Sequence, residues 1–151
     1  CFFFLCAGHP LSVHRVVRRP RQLCISDWLY TRSIVRVLRA YKVKKVVTGM
    51  AHITGGGLAG NLQRALPGHV DAVINANTWD VPPIFPFLQA HGGVSDEEMD
   101  RVFNMGVGYC LIVRPTFADS IAKRLEKLGE RVYRLGKITN GKGRVRLKGT
   151  R

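Results

Sequence analysis

Apolar and polar positions change period along this chain, and the changes mark its elements. Ile34, Val37, Leu38 and Tyr41 recur at spacings of three and four, which puts them on one face of a helix. Arg32, Arg36 and Arg39 fall on the other face, the solvated one, and Ser26 or Asp27 is placed to cap the start. A β-branched run from Val43 to Val47 then predicts a strand, and Asn61 to Leu66 predicts a helix stopped by Pro67-Gly68. Val70 to Asn75 alternates as a strand does. Two prolines in Thr78-Trp79-Asp80-Val81-Pro82-Pro83 bar a central strand, so this is a loop, and either proline can open a helix over Ile84–Ala90 ended by Gly92-Gly93.

Ser95 with Glu98 three residues on is a capping box, opening a short helix toward Phe103. Tyr109 to Val113 is a continuous apolar run of strand length. Pro115 and Thr116 open an amphipathic helix through Ile121, Leu125 and Leu128, closed by Gly129. Arg131 to Ile138 alternates, and Gly141-Lys142-Gly143 turns into a last strand, Arg144 to Leu147. Strands and helices alternate along the chain. That pattern predicts an α/β (α+β) fold, a mixed sheet layered with helices, over residues 26–151. Residues 1–25 hold an aromatic run, two prolines and arginine doublets without a sustained period, and are expected to be a disordered basic leader.

Two stretches interrupt the regular pattern where chemistry can sit. The first is Thr48-Gly49-Met50-Ala51-His52-Ile53-Thr54-Gly55-Gly56-Gly57-Leu58, a strand feeding three glycines and a helix. Consecutive glycines let the backbone approach a ligand closely, and a glycine turn into a helix start suits an anion such as phosphate; a tight turn with no ligand reads equally well. His52 can act as acid, base or hydrogen-bond donor near neutral pH, or simply bond the turn's backbone. The second stretch is Phe103-Asn104-Met105-Gly106-Val107-Gly108, where Asn104 offers a donor and an acceptor or caps the loop. Trp79 reads as a packing anchor.

Composition narrows the classes. A chain of 151 residues with 46% hydrophobic content is one globular domain. It opens on cysteine, as a fragment, a processed chain or an incomplete gene product does. The four cysteines show no metal-ligand spacing, which favours a reduced, cytoplasmic setting. The apolar run Phe2–Leu5 is too short for a bilayer, so no membrane partner is expected. Of the net charge of +14, the first 45 residues supply ten basic groups against one acid, outside the glycine-rich centre and without an aromatic stacking pattern. A solvated face therefore outweighs nucleic-acid binding. There is no GxxxxGK[ST] loop, no GxGxxG after a strand, no GxSxG elbow and no carboxylate set suited to magnesium; no metal ligand is expected.

The glycine run, together with Thr78-Trp79-Asp80-Val81-Pro82-Pro83-Ile84-Phe85, Gly93-Val94-Ser95-Asp96-Glu97-Glu98-Met99 and Phe103–Gly108, resembles the aminoimidazole ribonucleotide synthetases, the phosphoribosylformylglycinamidine cyclo-ligases. Four motifs in order over residues 29–147 carry the resemblance. It implies the C-terminal domain of a two-domain enzyme of purine biosynthesis, similar in fold to selenophosphate synthetase and thiamine-monophosphate kinase. In that family the ATP γ-phosphate activates the formyl-derived oxygen, and the neighbouring nitrogen closes the imidazole ring with release of phosphate. ATP and magnesium sit mainly on the N-terminal domain, and the formylglycinamidine ribonucleotide lies between the domains. Carried over, His52 is the catalytic residue. Thr54, Gly55, Gly56, Gly57 and Asn61 face the substrate phosphate or reaction centre, with Asn104, Gly106 and Gly108 on the opposite wall. Residues 1–25 match nothing in the family pattern, Asp27–Arg32 departs from the usual lead-in, and Tyr109 and Asn75 replace a usual methionine and aspartate. Without the N-terminal domain, the chain alone is expected to be inactive, and the family's homodimer is not carried over. The other reading is a non-catalytic module that binds anions or nucleic acid through the basic N-terminal segment.

Overall fold

Apolar runs with no polar side predict strands covered on both faces, and one strand of this protein meets that description in full. In the computed structural model, which describes residues 3–8 (backbone path), 30–42 and 45–149, Tyr109–Val113 is such a strand. Cys110 and Ile112 point into one apolar cluster, with Leu58, Leu62, Trp79 and Val107. Leu111 and Val113 point into a second, with Ile34, Val37, Ile121 and Leu125. The period-two alternation of a strand divides one pentapeptide between two cores.

Among the described residues six strands form a single sheet: β1 (Phe3–Gly8), β2 (Val47–His52), β3 (Val70–Asn75), β4 (Tyr109–Val113), β5 (Arg131–Asn140) and β6 (Val145–Lys148), in the order β2-β4-β1-β5-β3-β6. All neighbours are antiparallel except β3 and β6. The helices are α1 (Thr31–Ala40), α2 (Gly57–Gln63), α3 (Ile84–Gly92), α4 (Asp96–Val102) and α5 (Pro115–Lys127). α1 and α5 cover one face of the sheet, and α2 covers the other with α4 packed behind it. The fold is therefore the expected mixed sheet layered with helices. No helix among the described residues is long and apolar enough to cross a membrane.

Several expected boundaries move. Phe3–Gly8, expected to be part of a disordered leader, is a strand between β4 and β5, paired antiparallel with both and with a register shift against β5 between Phe3 and Leu5. The remainder of residues 1–25, and Ser26, Asp27 and Val43, lie outside the described residues. α1 starts at Thr31 with Tyr30 at its N-cap and no side-chain cap. β2 starts at Val47, not at Val43, and runs on to His52, so the first part of the expected loop, Thr48–His52, is strand. A register shift between Val47 and Gly49 inserts one extra residue opposite β4. α2 begins four residues earlier than the pattern suggested, inside the glycine triplet, and Ala65 and Leu66 close it with tighter i→i+3 bonds. Only half of the capping box forms. Ser95 Oγ accepts the Glu98 N–H, while the Glu98 carboxylate turns to Arg101 instead of back to the cap.

A buried carboxylate pins the far end of the sheet. Asp71 on β3 is 1% exposed and accepts hydrogen bonds from the backbone N–H groups of Lys142 and Arg144 at 2.7 and 2.9 Å and from Arg146 at 2.7 Å. It satisfies the Gly141–Gly143 turn that brings β6 alongside β3. Those two backbone donors first, and Arg146 after them, hold its pKa below the ordinary 3.8. A depressed carboxylate pKa contributes stability that is complete above its unfolded value and disappears as pH falls through the folded one. Asp71→Asn is expected to lower Tm at pH 7 and to flatten the acid limb of the Tm-against-pH curve below about pH 4. An unchanged acid limb in thermal melts of the variant would contradict this assignment.

Candidate functional site

Strand directions put the C-terminal ends of β2 and β3 and the N-terminal end of β4 at the same end of the sheet. Three loops leave or enter there: Ile53–Gly56, Ala76–Pro83 and Phe103–Gly108. Two hydrogen bonds join them into a rim. Ile53 N–H donates to the Gly108 carbonyl at 2.9 Å, carrying the β2–β4 pairing one step past the strands. The buried Trp79 donates its indole N–H to the Met105 carbonyl at 3.0 Å. Trp79 is thus the anchor its sequence context suggested, with a named partner.

Around the glycine triplet the backbone is shaped by the chain itself. Gly56 and Gly57 have φ of 97° and 64°, a left-handed pair that L side chains rarely adopt. Gly57 is also buried against α4, where a Cβ would lie 1.9 Å from the Asp100 carbonyl oxygen. Asn61 is 8% exposed, and its amide nitrogen points back into the loop, within 3.2 Å of the Thr54 and Gly55 carbonyl oxygens and 2.7 Å of Gly57's. It is a strut under the loop. Thr54 and Gly55 are exposed, and nothing stands within 4 Å of the position a Gly55 Cβ would take.

The second glycine stretch is a primed turn. Met105 and Gly106 have φ of 49° and 93°, and Val107 N–H closes the turn onto the Asn104 carbonyl at 2.9 Å. Asn104 Oδ1 accepts from Gly106 N–H at 3.1 Å, so this asparagine caps its own loop. A Cβ on Gly106 would strike Pro82 at 2.4 Å, and one on Gly108 would lie 1.8 Å from the Tyr30 hydroxyl. These two glycines let the proline loop and the start of α1 pack against the turn.

His52 lies elsewhere on the rim than the expected loop position. It is the last residue of β2, pairs with Tyr109, and shares that residue's face of the sheet. Its exposed ring stacks on Tyr109 at 5.9 Å between centroids and meets Tyr30 edge-on at 6.2 Å. Strand alternation then sends Ile53 to the α2 face, so the histidine and the glycine triplet stand on different sides of the sheet end. Burial pushes the Tyr109 phenol above its ordinary 10.0. The aromatic pair Tyr30 and Tyr109 was missed as part of the site by sequence reasoning. A tyrosine directly opposite a histidine in the β2–β4 register is the signal that would have found it.

Comparison with known proteins places this geometry. The family described as AIR synthase related protein, C-terminal domain, matches residues 11–148. The chain belongs to that family. The match begins inside the segment expected to lie outside it. A phosphoribosylformylglycinamidine cyclo-ligase of Bacillus velezensis is 46% identical over 134 residues, covering 87% of this chain and 38% of that protein. A bifunctional purine biosynthetic protein, ADE1, of Schizosaccharomyces pombe is 41% identical over 124 residues, covering 82% of this chain and 15% of that one. The chain thus spans well under half the length of either relative. Among solved structures, HypE of E. coli, a hydrogenase maturation protein, superposes with a TM-score of 0.66 at 18% identity over 98% of this chain and 46% of its own. The protein tt0281 of Thermus thermophilus gives 0.54 at 18% identity over 98% and 49%. These two share the fold.

Replacing Asn61 tests the strut. Asn61→Ala is expected to lose about 1–3 kcal/mol in denaturant unfolding, since three carbonyls lose their donor. Asn61→Asp is expected to cost more, because it turns a carboxylate toward the same oxygens. A neutral Ala variant would remove the strut.

Proposed function

We propose that this chain is the substrate-side part of a phosphoribosylformylglycinamidine cyclo-ligase, which closes the imidazole ring of aminoimidazole ribonucleotide at the expense of ATP. The observation that carries the reading is that three of the four motif-bearing stretches of a chain belonging to this family converge on one rim at the end of the sheet. Relatives named as this cyclo-ligase support the reaction class. The rim divides into residues that hold shape and residues that remain approachable. Asn61, Gly57, Asn104, Gly106 and Gly108 hold shape, by hydrogen bonds or by close packing. Thr54, Gly55, Gly56 and His52 are exposed at the rim and are the proposed substrate contacts.

In this reading the substrate phosphate is bound over the Thr54–Gly56 backbone, where open space above Gly55 allows close approach. His52, fixed between two tyrosines, orients or protonates the reacting part of the nucleotide from the other side of the sheet end. Among the described residues no group of three or more His, Cys, Asp or Glu side chains comes together as a cage for a metal. We assign ATP and magnesium mainly to the part of the longer relatives outside the matched region, and no step here runs through them. α3 starts at the rim and leaves Ile84, Phe87 and Leu88 exposed, a surface suited to cover by that part. The proposed setting is cytoplasmic.

The test is ATP-dependent formation of aminoimidazole ribonucleotide by the full chain, alone and mixed with the ATP-binding domain of the Bacillus relative. No turnover is expected alone and measurable turnover on mixing, falling about 100-fold or more with His52→Gln. Absence of turnover on mixing, together with no calorimetric binding of the formylglycinamidine nucleotide, would overturn the proposal.

A further inference from the structure

The basic charge of this protein has a second concentration, away from the rim. α1 and α5 lie side by side on one face of the sheet, and an open groove between them is lined by Arg36 from α1 and by Ser120, Lys123, Arg124 and Lys127 from α5. One acid, Asp119, also borders it, and its carboxylate is engaged by Arg134 on β5. Arg36, Lys123 and Lys127 pair with no acid among the described residues, and Arg124 stands over the Tyr41 ring at 5.8 Å. α1 adds the exposed Arg32 and Arg39 and contains no acid.

Such a surface costs stability when it has nothing to face. Lys123 and Lys127, one turn apart, repel; of the acids spaced to offset them on α5, Asp119 is engaged by Arg134, which leaves Glu126, three residues beyond Lys123. The groove runs from Thr116 to Lys127, about 16 Å at the α-helical rise, too long for a single phosphate to bridge. Thr116 and Ser120 add hydroxyls along the same stripe, and hydroxyls with Arg and Lys are the groups that contact phosphodiester oxygens. The acids of α4, Asp96, Glu97 and Asp100, stand on the helix layer beyond the other face, so the field of the molecule presents this groove to a polyanion. A membrane surface fits less well. Four of the six exposed large apolar side chains are on α3 and α4; Leu38 on α1 and Met50 on β2 are the others, and none of the six lines the groove.

We propose that the α1–α5 groove binds the phosphodiester backbone of a nucleic-acid strand without reading its sequence. The inference uses none of the rim residues and stands apart from the cyclo-ligase reading. It also differs from binding through the N-terminal arginines, because the groove belongs to two folded helices.

Fluorescence anisotropy with a labelled 20-nucleotide single strand, titrated into the full chain across a salt series, tests it. Arg36→Gln, Lys123→Gln, Arg124→Gln and Lys127→Gln together are expected to weaken binding about tenfold or more and to flatten the salt slope by about 2 to 3. All four positions are exposed, and thermal melts check the fold. Should the fourfold variant not fold, Lys123→Gln with Lys127→Gln is expected to give about half the flattening. A charge-matched control at Lys137, Lys142, Arg144 and Lys148 is expected to retain most of the affinity. The proposal is overturned if the control loses as much, or if the loss appears only when Arg15, Arg18, Arg19 and Arg21 are replaced. It is equally overturned if the native chain does not bind, or if polyglutamate competes as well as the oligonucleotide, the last marking an acidic-peptide site.

Discussion

One backbone hydrogen bond, from Ile53 N–H to the Gly108 carbonyl, sets the shape of the rim proposed to hold the substrate. It extends the β2–β4 pairing past the last strand residues and so fixes two glycine-bearing loops relative to each other. The Trp79 indole adds the third loop through Met105. These bonds lie over the two cores that meet at β4, where Cys110 and Val113 are fully buried. Slack in that strand would loosen the Ile53–Gly56 and Phe103–Gly108 loops together, because one leaves its neighbour β2 and the other enters β4 itself, while the Ala76–Pro83 loop leaves the more distant β3 and is tied in through Trp79.

The glycines at the rim serve different ends. Gly57 gives way to α4, Gly106 to Pro82 and Gly108 to Tyr30, each at a distance no Cβ tolerates. Gly55 gives way to nothing, and its backbone is open to a visitor. The glycine-rich run therefore reads as a short exposed backbone, Thr54–Gly56, held up by the tightly packed Gly57 and by Asn61 beneath. His52 belongs to a separate aromatic corner with Tyr30 and Tyr109, and the two corners bracket the end of the sheet.

Much of this was legible beforehand. β3, β4 and α5 fall where their periodicity put them, because a strand of alternating or wholly apolar residues and a helix opened by Pro115 have few other solutions. The family that the motif stretches indicated is the family that matches. Three features were hidden for physical reasons. The bulge at Thr48–Gly49 displaces β2 toward His52, and an inserted residue leaves no mark in periodicity. β1 gains its place from partners more than a hundred residues away, which local pattern does not contain. The inward use of the Asn61 and Asn104 side chains depends on loop conformations that composition does not fix.

Native-state hydrogen exchange tests the joined rim most directly. The Ile53 amide and the Trp79 indole N–H are expected to exchange slowly and with the same opening free energy as the core amides of β4, because the loops open only when that strand does. Fast exchange at Ile53 or Trp79 while the β4 amides stay protected would show loops that move independently, and would contradict a rim built as one piece.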